Sequence, residues 1–301
     1  MTQSTTQPPG QQSPRQRFAA ALASGEMITA PGCFDGLTAK LIERAGFQAC
    51  YMTGAGTASS FGLPDYGLLT ATEMVANAAR IAAAVDIPVI ADADTGFGNE
   101  LNVTRAIREY ERAGVAAIHI EDQGFPKKCG HLDDKEIIPL DDYLAKIRAA
   151  AAARTDTDFK IIARTDSNAM IGFDEAVTRV NAALAAGADI AFIEAPKTDE
   201  ELAAVTKRVD GPCLFNLVLR GKTPPVTMDG LRAHGFAVTI LPDVIWREMV
   251  MRAESVLADL TGGTLPSQTE GLLVSELFER VGSKEWDQVR HAFSTPARAA
   301  E

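Results

Sequence analysis

Pro88-Val-Ile-Ala-Asp-Ala-Asp94, then the amphipathic stretch Asn102–Ala113 closed by Gly114, then Ala116-Ala-Ile-His-Ile-Glu-Asp122, reads as strand, helix and strand. Each apolar run has the length and Ile/Val/Ala content of a strand buried on both faces. A glycine just past a helix supplies its left-handed stop. The same unit recurs on either side. The apolar runs are Met27–Cys33, Ala49–Gly54, Pro88–Asp94, Ala116–Asp122, Lys160–Asp166, Ile190–Ala195, Cys213–Leu217 and Ala237–Pro242. Helical stretches alternate with them: Asp35–Ala45, Thr70–Val85, Asn102–Ala113, Leu140–Arg154, Phe173–Ala186, Thr198–Val209, Thr227–His234 and Asp243–Leu260. Thr70 with Glu73, and Thr198 with Glu201, have the spacing of a capping box. Eight such units in succession predict an α/β fold, a (β/α)8 TIM-type barrel. The rival is a doubly wound open sheet, but the first run ends Ala30-Pro-Gly-Cys-Phe-Asp35, without the G-x-G-x-x-G turn of that fold.

The 301 residues are 46% hydrophobic and 23% charged, which is ordinary globular composition. A net charge of -11 repels phosphate backbones and anionic lipid, so nucleic-acid and membrane-surface binding are not expected. No apolar run approaches the roughly 20 residues of a membrane helix. Residues 1–16 are polar, rich in Gln, Ser, Thr and Pro, and read as a disordered tail without the apolar core of a secretory signal. The barrel is expected over 17–262. Residues 263–301 add helical pattern with an apolar face, including Leu272, Leu273, Leu277 and Phe278, as expected of an extension at a subunit interface. Four cysteines are too few for a disulfide framework, and a reduced, cytoplasmic setting is the simplest reading. Cys33, Cys50 and Cys213 sit in or beside apolar runs and read as buried small hydrophobes. Cys129 differs: it lies in Lys127-Lys-Cys-Gly-His131, where positive neighbours favour thiolate.

In a barrel of this kind the chemistry sits where strands end. Here the ends carry Tyr51-Met-Thr-Gly54, Asp92-Ala-Asp94, His119-Ile-Glu-Asp122, Arg164-Thr-Asp166, Glu194, Asn216 and Pro242. Burying even one unpaired charge costs several kcal/mol, so chance is a poor explanation. Caps for the following helices account for Asp122 and Asp166, but not for His119, Glu121, Arg164 and Glu194 together. Strand alternation puts Asp92 and Asp94 on one face, and His119 and Glu121 on one face. Two carboxylates from one strand and Glu121 from the next make an oxygen-rich site for a hard cation, Mg²⁺ with several waters. Arg164 and Arg247 are candidate carboxylate clamps.

Asp92-Ala-Asp-Thr-Gly-Phe-Gly-Asn99, Ile120-Glu-Asp-Gln123, Lys127-Lys-Cys-Gly-His131 and Ala163-Arg-Thr-Asp166 resemble the isocitrate lyase/phosphoenolpyruvate mutase superfamily, over roughly Arg17 to Leu260. Among its members the sequence is most similar to 2-methylisocitrate, dimethylmalate and petal-death-type lyases, because the mutases lack the catalytic Cys of the Lys-Lys-Cys-Gly-His loop. The resemblance implies that Asp92 binds Mg²⁺ (or Mn²⁺) directly, with Asp65, Asp94 and Glu121 organising its waters. It implies that Thr53, Gly54 and Ala55 hold the substrate's α-carboxylate through main-chain donors, that Arg164 contacts substrate oxygens, and that Glu194 and Asn216 line the pocket. Gly130 and His131 would bind the second carboxylate, and Cys129 would be the acid. A homotetramer with a swapped C-terminal helix is implied as well.

The implied activity is Mg²⁺-dependent carbon–carbon cleavage of a small 2-hydroxy dicarboxylate, with Tyr51 the candidate acceptor of the hydroxyl proton. The relatives' Arg for a third carboxylate aligns with Val274, which disfavours a tricarboxylate. Leu219 stands where relatives commonly have Glu, whereas Gly221-Lys-Thr-Pro224 resembles the petal-death-type lyases. Oxaloacetate hydrolases carry Ser where this chain has Pro242. An alkylated malate such as 2,3-dimethylmalate therefore leads. The alternatives are 2-methylisocitrate cleavage, oxaloacetate hydrolysis or decarboxylation, phosphonate-forming mutase chemistry, and a non-catalytic barrel that senses dicarboxylates.

Overall fold

The apolar runs pair side by side in chain order and close on themselves. The structure, a computed structural model, describes residues 12–130, 135–267 and 269–294. The strands are β1 (Ile28–Cys33), β2 (Cys50–Met52), β3 (Val89–Asp92), β4 (Ala117–Glu121), β5 (Lys160–Thr165), β6 (Ile190–Ile193), β7 (Cys213–Asn216) and β8 (Val238–Leu241). They form one closed parallel barrel in the order β1 to β8, with β8 returning to β1. All eight expected runs are strands, each trimmed at one or both ends where the chain leaves the ladder and turns.

The helices are α1 (Pro14–Ser24), α2 (Gly36–Arg44), α3 (Gly54–Ser60), α4 (Ala71–Ala84), α5 (Glu100–Arg112), α6 (Leu140–Ala153), α7 (Ser167–Met170), α8 (Phe173–Ala185), α9 (Asp199–Arg208), α10 (Met228–His234), α11 (Val244–Thr261), α12 (Val274–Glu279) and α13 (Ser283–Phe293). Thr70 forms the expected reciprocal capping box with Glu73 at the start of α4. At α9 only half of the box forms. Thr198 accepts from the Glu201 N–H, while the Glu201 carboxylate turns to the Lys197 N–H and the Asn168 side chain.

The expected disordered tail is too long at its C-terminal end. α1 begins at Pro14, with Ser13 and Gln16 in a capping box and proline in its first turn. Phe18 of α1 is buried among the strand-start residues Ile28, Ala49, Ala116 and Ile190, so α1 closes the barrel floor. Burying that one ring contributes about 1.5–3 kcal/mol. Residues 1–11 and His131 lie outside the described residues.

Two compact units divide at Glu248 and Met249. The first holds the complete barrel. The second holds most of α11 together with α12 and α13, and exposes Leu257, Leu273, Val274, Leu277, Phe278 and Trp286. Among the described residues no helix is long and apolar enough to cross a membrane.

Register brings the polar strand ends together. Asp92 pairs with His119 across β3 and β4, and Glu121 pairs with Arg164 across β4 and β5. Residues whose spacing in the chain is large thus become neighbours on the strands' C-terminal rim, on top of an apolar interior of Ile90, Ile162, Phe192, Leu214 and Ile240.

Candidate active site

A cavity of about 170 Å³ opens at the C-terminal ends of the strands. Tyr51, Thr53, Ala55, Asp65, Asp92, Cys129, Gly130, Arg164, Glu194, Asn216 and Arg247 line it, so most of the residues singled out from the sequence meet in one place. Gly54 packs against Asp92 at its edge, and Asp94 and Glu121 are buried close by.

The carboxylate group is arranged around two cations. Lys127, 3% exposed, reaches from the loop after β4 to Asp65 and, at 2.9 Å, to Asp94 Oδ1. Arg164 binds Asp166 at 2.9 Å, Glu121 at 3.0 Å and Glu194 at 3.4 Å, and lies over the Phe192 ring. Asp92 Oδ1 accepts from the Asp94 N–H at 2.9 Å, and Asp92 Oδ2 from the Gly54 N–H at 3.2 Å. Burial works against ionisation of Asp92, but nearby positive charge and the Asp94 N–H overcome it and hold the carboxyl at about 2. His119 is itself pushed down to about 4 by burial, so at pH 7 Lys127 and Arg164 supply that positive charge. Burial and the charges of Asp92 and Asp65 raise Asp94 to about 6 against the pull of Lys127. Burial also pushes the Glu121 carboxyl well up, opposed by Arg164 and Lys127.

Strand alternation does not carry Asp94 into place. It lies past the end of β3 with φ of +46, and its main chain folds back to donate to Asp92. Asp122 and Asp166 are not helix caps either. Asp166 makes no side-chain cap bond at α7; it binds Arg164 and, at 2.6 Å, Lys135. Asp122 accepts from the Thr165 hydroxyl and the Asp166 N–H and pairs with Arg179 at 3.1 Å. Both carboxylates brace the β5 end that carries Arg164.

The residue types and their charges fit a hard divalent cation. Glu121 is fully buried, and its Oε1 finds no hydrogen-bond partner, which is a costly state unless something else satisfies it. Among the described residues no three His, Cys, Asp or Glu side chains converge as a direct ligand set. The donors that Asp92, Asp94 and Glu121 offer are carboxylate oxygens, the ligand type of a hard ion held by one or two carboxylates and otherwise by water, as Mg²⁺ is.

Two expected roles meet constraints. The Thr53 N–H is committed to the Cys33 carbonyl, and the Gly54 N–H to Asp92, so within this conformation those main-chain donors serve the protein. Tyr51 shares a 2.8 Å hydrogen bond with His119 Nε2 and lies 3.4 Å from Asp92. Burial and the Asp92 charge push its phenol well up, so Tyr51 rests as a neutral phenol and not as a base. Arg247 faces the cavity while pairing with Asp243 and donating to the Leu219 carbonyl at 2.9 Å.

Cys33, Cys50 and Cys213 are buried, as read from their apolar surroundings, and Cys129 is partly exposed. Gly130 presses directly on the site. A Cβ there would stand 2.4 Å from the Arg164 guanidinium and 2.8 Å from Glu194 Cγ. Arg164 is held by three carboxylates and cannot yield. Gly130→Ala is therefore expected to lower any turnover by about tenfold or more, a misplacement of about 1 Å being able to cost about 10²-fold. The thermal midpoint should stay within a few degrees, and near wild-type turnover would count against the close packing.

Several residues of the site had no role in the sequence reading. Val218, Asp243 and Trp246 line the cavity from the β7 and β8 loops. Nothing in their own spacing announces them, because only barrel closure brings them opposite Asp92. Lys135 and Gln123 could have been noticed as polar residues flanking the Cys129 loop.

The chain matches the family model described as phosphoenolpyruvate phosphomutase over residues 18–261. It is similar to 2,3-dimethylmalate lyase of Eubacterium barkeri, 44% identical over 281 residues, covering 91% of this chain and 96% of that one. Among solved structures, oxaloacetate acetylhydrolase in complex with 3,3-difluorooxalacetate superimposes with a TM-score of 0.90 at 35% identity, covering 93% and 97% of the two chains. A phosphonopyruvate hydrolase complex with oxalate and Mg²⁺ superimposes with a TM-score of 0.85 at 33% identity, covering 94% and 99%.

Proposed function

From the premise that the chain belongs to the phosphoenolpyruvate mutase/isocitrate lyase superfamily, we propose that it is a Mg²⁺-dependent carbon–carbon lyase acting on a 2-hydroxy dicarboxylate of the alkylated-malate type. The observation that carries this reading is the convergence of Asp92, Arg164 and Cys129 on one cavity, with the buried carboxylates Asp94 and Glu121 behind them. Asp92 would hold the ion directly, and Asp65, Asp94 and Glu121 would hold its waters; Mn²⁺ would substitute. Bound there, the ion supplies positive charge to the hydroxyl and carboxylate of a 2-hydroxy acid.

The chain's own groups then have distinct tasks. Arg164 orients the carboxylate end together with Ala55, the residue of the Thr53–Ala55 segment whose main-chain donor is not taken by Cys33 or Asp92, and Gly130 and His131 would orient the second carboxylate. Tyr51 hydrogen-bonds the substrate hydroxyl. The hydroxyl proton passes to the Tyr51 oxygen as Tyr51 gives its own proton to neutral His119 Nε2, 2.8 Å away; the O–H bonding pair becomes the C2=O bond of a ketone, and the C2–C3 bonding pair passes to C3, delocalised into its carboxylate. Cations stabilise that charge, and the Cys129 S–H delivers a proton to C3. A 2-oxo acid and a carboxylic acid leave. Glu194, which binds Arg164 and the Asn216 amide, closes the same wall.

At the end of β8, Pro242 faces the cavity and offers no hydroxyl, which favours cleavage over oxaloacetate hydrolysis. The oxaloacetate acetylhydrolase likeness keeps hydrolysis as the second reading. The test is a panel of 2-hydroxy di- and tricarboxylates assayed with Mg²⁺ for 2-oxo acid release. Alkylmalates should be cleaved and 2-methylisocitrate should be poor, since the position that aligns with the relatives' cation for a third carboxylate is the uncharged Val274, and a carboxylate taken out of water without a partner costs several kcal/mol. Conversion of oxaloacetate to oxalate and acetate, with no alkylmalate cleaved, would replace the lyase reading by the hydrolase one.

A further inference from the structure

The segment Lys127–Gly130 carries the thiol, and it is gripped at every residue. Lys127 is pinned by Asp65 and Asp94. The Cys129 N–H donates to the Asp65 carbonyl at 3.2 Å. Two further grips come from side chains outside the cavity lining. Gln123 is 1% exposed, and its amide makes two bonds to one residue: Nε2–H donates to the Lys128 carbonyl at 2.8 Å, and the Lys128 N–H donates to Oε1 at 3.0 Å. This two-point contact fixes the amide's orientation and ties both main-chain polar groups of Lys128 to one side chain. On the other side of the thiol, the buried Lys135 ammonium donates to the Gly130 carbonyl and to Asp166 Oδ1. Asp166 is in turn bound to Arg164.

Gln123 is itself rigid. It lies two residues past the end of β4, bridges to Ile137, and its neighbours pair through Gly124 N–H to Glu136 O and Ile138 N–H to Asp122 O. The anchor of the thiol-bearing peptide is thus the same ribbon that continues the strand of Glu121.

We propose that Gln123 and Lys135 are positioning residues for Cys129: two buried side chains clamp the backbone immediately before and after the thiol and set its place over the cavity. This rests on the lyase reading for its effect on turnover, but the clamp itself does not depend on which substrate is taken. Proton delivery to carbon is sensitive to placement, and an error of about 1 Å costs up to about 10²-fold. A clamp that acts through Cys129 has no effect once the thiol is gone, whereas a general structural role acts regardless.

The experiment uses the full chain with Gln123→Leu, Gln123→Glu, Lys135→Met and Lys135→Arg, each alone and with Cys129→Ala. The first readout is the rate of Cys129 alkylation by iodoacetamide without substrate, assigned by peptide mapping; the other three cysteines are buried and react slowly. Gln123→Leu and Lys135→Met should alkylate about tenfold faster than wild type, with Gln123→Glu and Lys135→Arg in between, as opening of the segment exposes the thiol. The second readout is steady-state turnover with an accepted substrate. For the Gln123 variants kcat should fall about tenfold or more with little change in KM, and no further fall should occur in the Cys129→Ala background; the Lys135 variants also loosen Asp166 and through it Arg164, so for them the alkylation rate decides. Alkylation rates within about twofold of wild type, or equal losses of kcat with and without the thiol, would overturn the proposal. If Gln123→Leu does not fold, Gln123→Glu and Lys135→Met decide it. If no substrate of the panel is turned over, the lyase reading fails and the alkylation rates alone decide the clamp.

Discussion

Cys129→Ala is expected to lower turnover by about 10²–10⁴-fold, the range general acid catalysis contributes, which corresponds to about 2.7–5.4 kcal/mol of transition-state stabilisation. Cys129→Ser should fare little better, because an alkyl hydroxyl is far too weak an acid to replace a thiol. Substrate affinity should fall much less, since Asp92, Arg164 and the Thr53–Ala55 segment stay in place. Cleavage in D₂O provides a second measure. One deuterium should enter stereospecifically at the carbon that had been C3, because the thiol approaches from the single side on which Gly130 packs against Arg164 and Glu194. Deuterium in random configuration would mean that the carbanion reaches solvent before it is protonated. A Cys129→Ala variant with near wild-type turnover would remove the thiol from the mechanism.

Exhaustive chelation should abolish turnover, and Mg²⁺ or Mn²⁺ should restore it. Asp92→Ala should lose about 10³-fold or more even with metal in excess, since charge stabilisation by such an ion is worth several kcal/mol at about 1.4 kcal/mol per decade. Calorimetric titration with Mg²⁺ alone should show binding to the wild-type chain and none to Asp92→Ala. The variant should still fold. Asp92 accepts from two main-chain donors at the rim of β3, while the barrel interior below it is apolar and complete without it. Full activity after chelation would remove the metal from the reaction, and the orphaned Glu121 oxygen would then need another partner.

Barrel architecture was legible in the chain because a strand buried on both faces must be a short continuous apolar run, and a helix on the outside must be amphipathic, several here being followed by a glycine stop. Both are local requirements, and all eight strands followed from them. The polar strand ends were legible for the same reason: Asp92, Glu121, Arg164 and Glu194 stand out against runs that otherwise exclude charge. Helix α1 was hidden by composition, because its polar surface resembles a tail and only Phe18 is fully buried in the floor, with Ala21 and Leu22 packed partly against it.

Pairing was not legible. Which carboxylate meets which cation depends on register between strands, and no local pattern states that Glu121 stands beside Arg164 or that Lys127 turns back to Asp65 and Asp94. Nor does the chain show that Asp122 and Asp166 brace β5 and cap nothing, or that Gln123 grips the peptide before Cys129. Local chemistry decides which residues form strands and which polar groups end them. Closure of the barrel decides their partners, because the free energy of a buried charge is set by neighbours that lie tens of residues away along the chain and a few ångströms away in space.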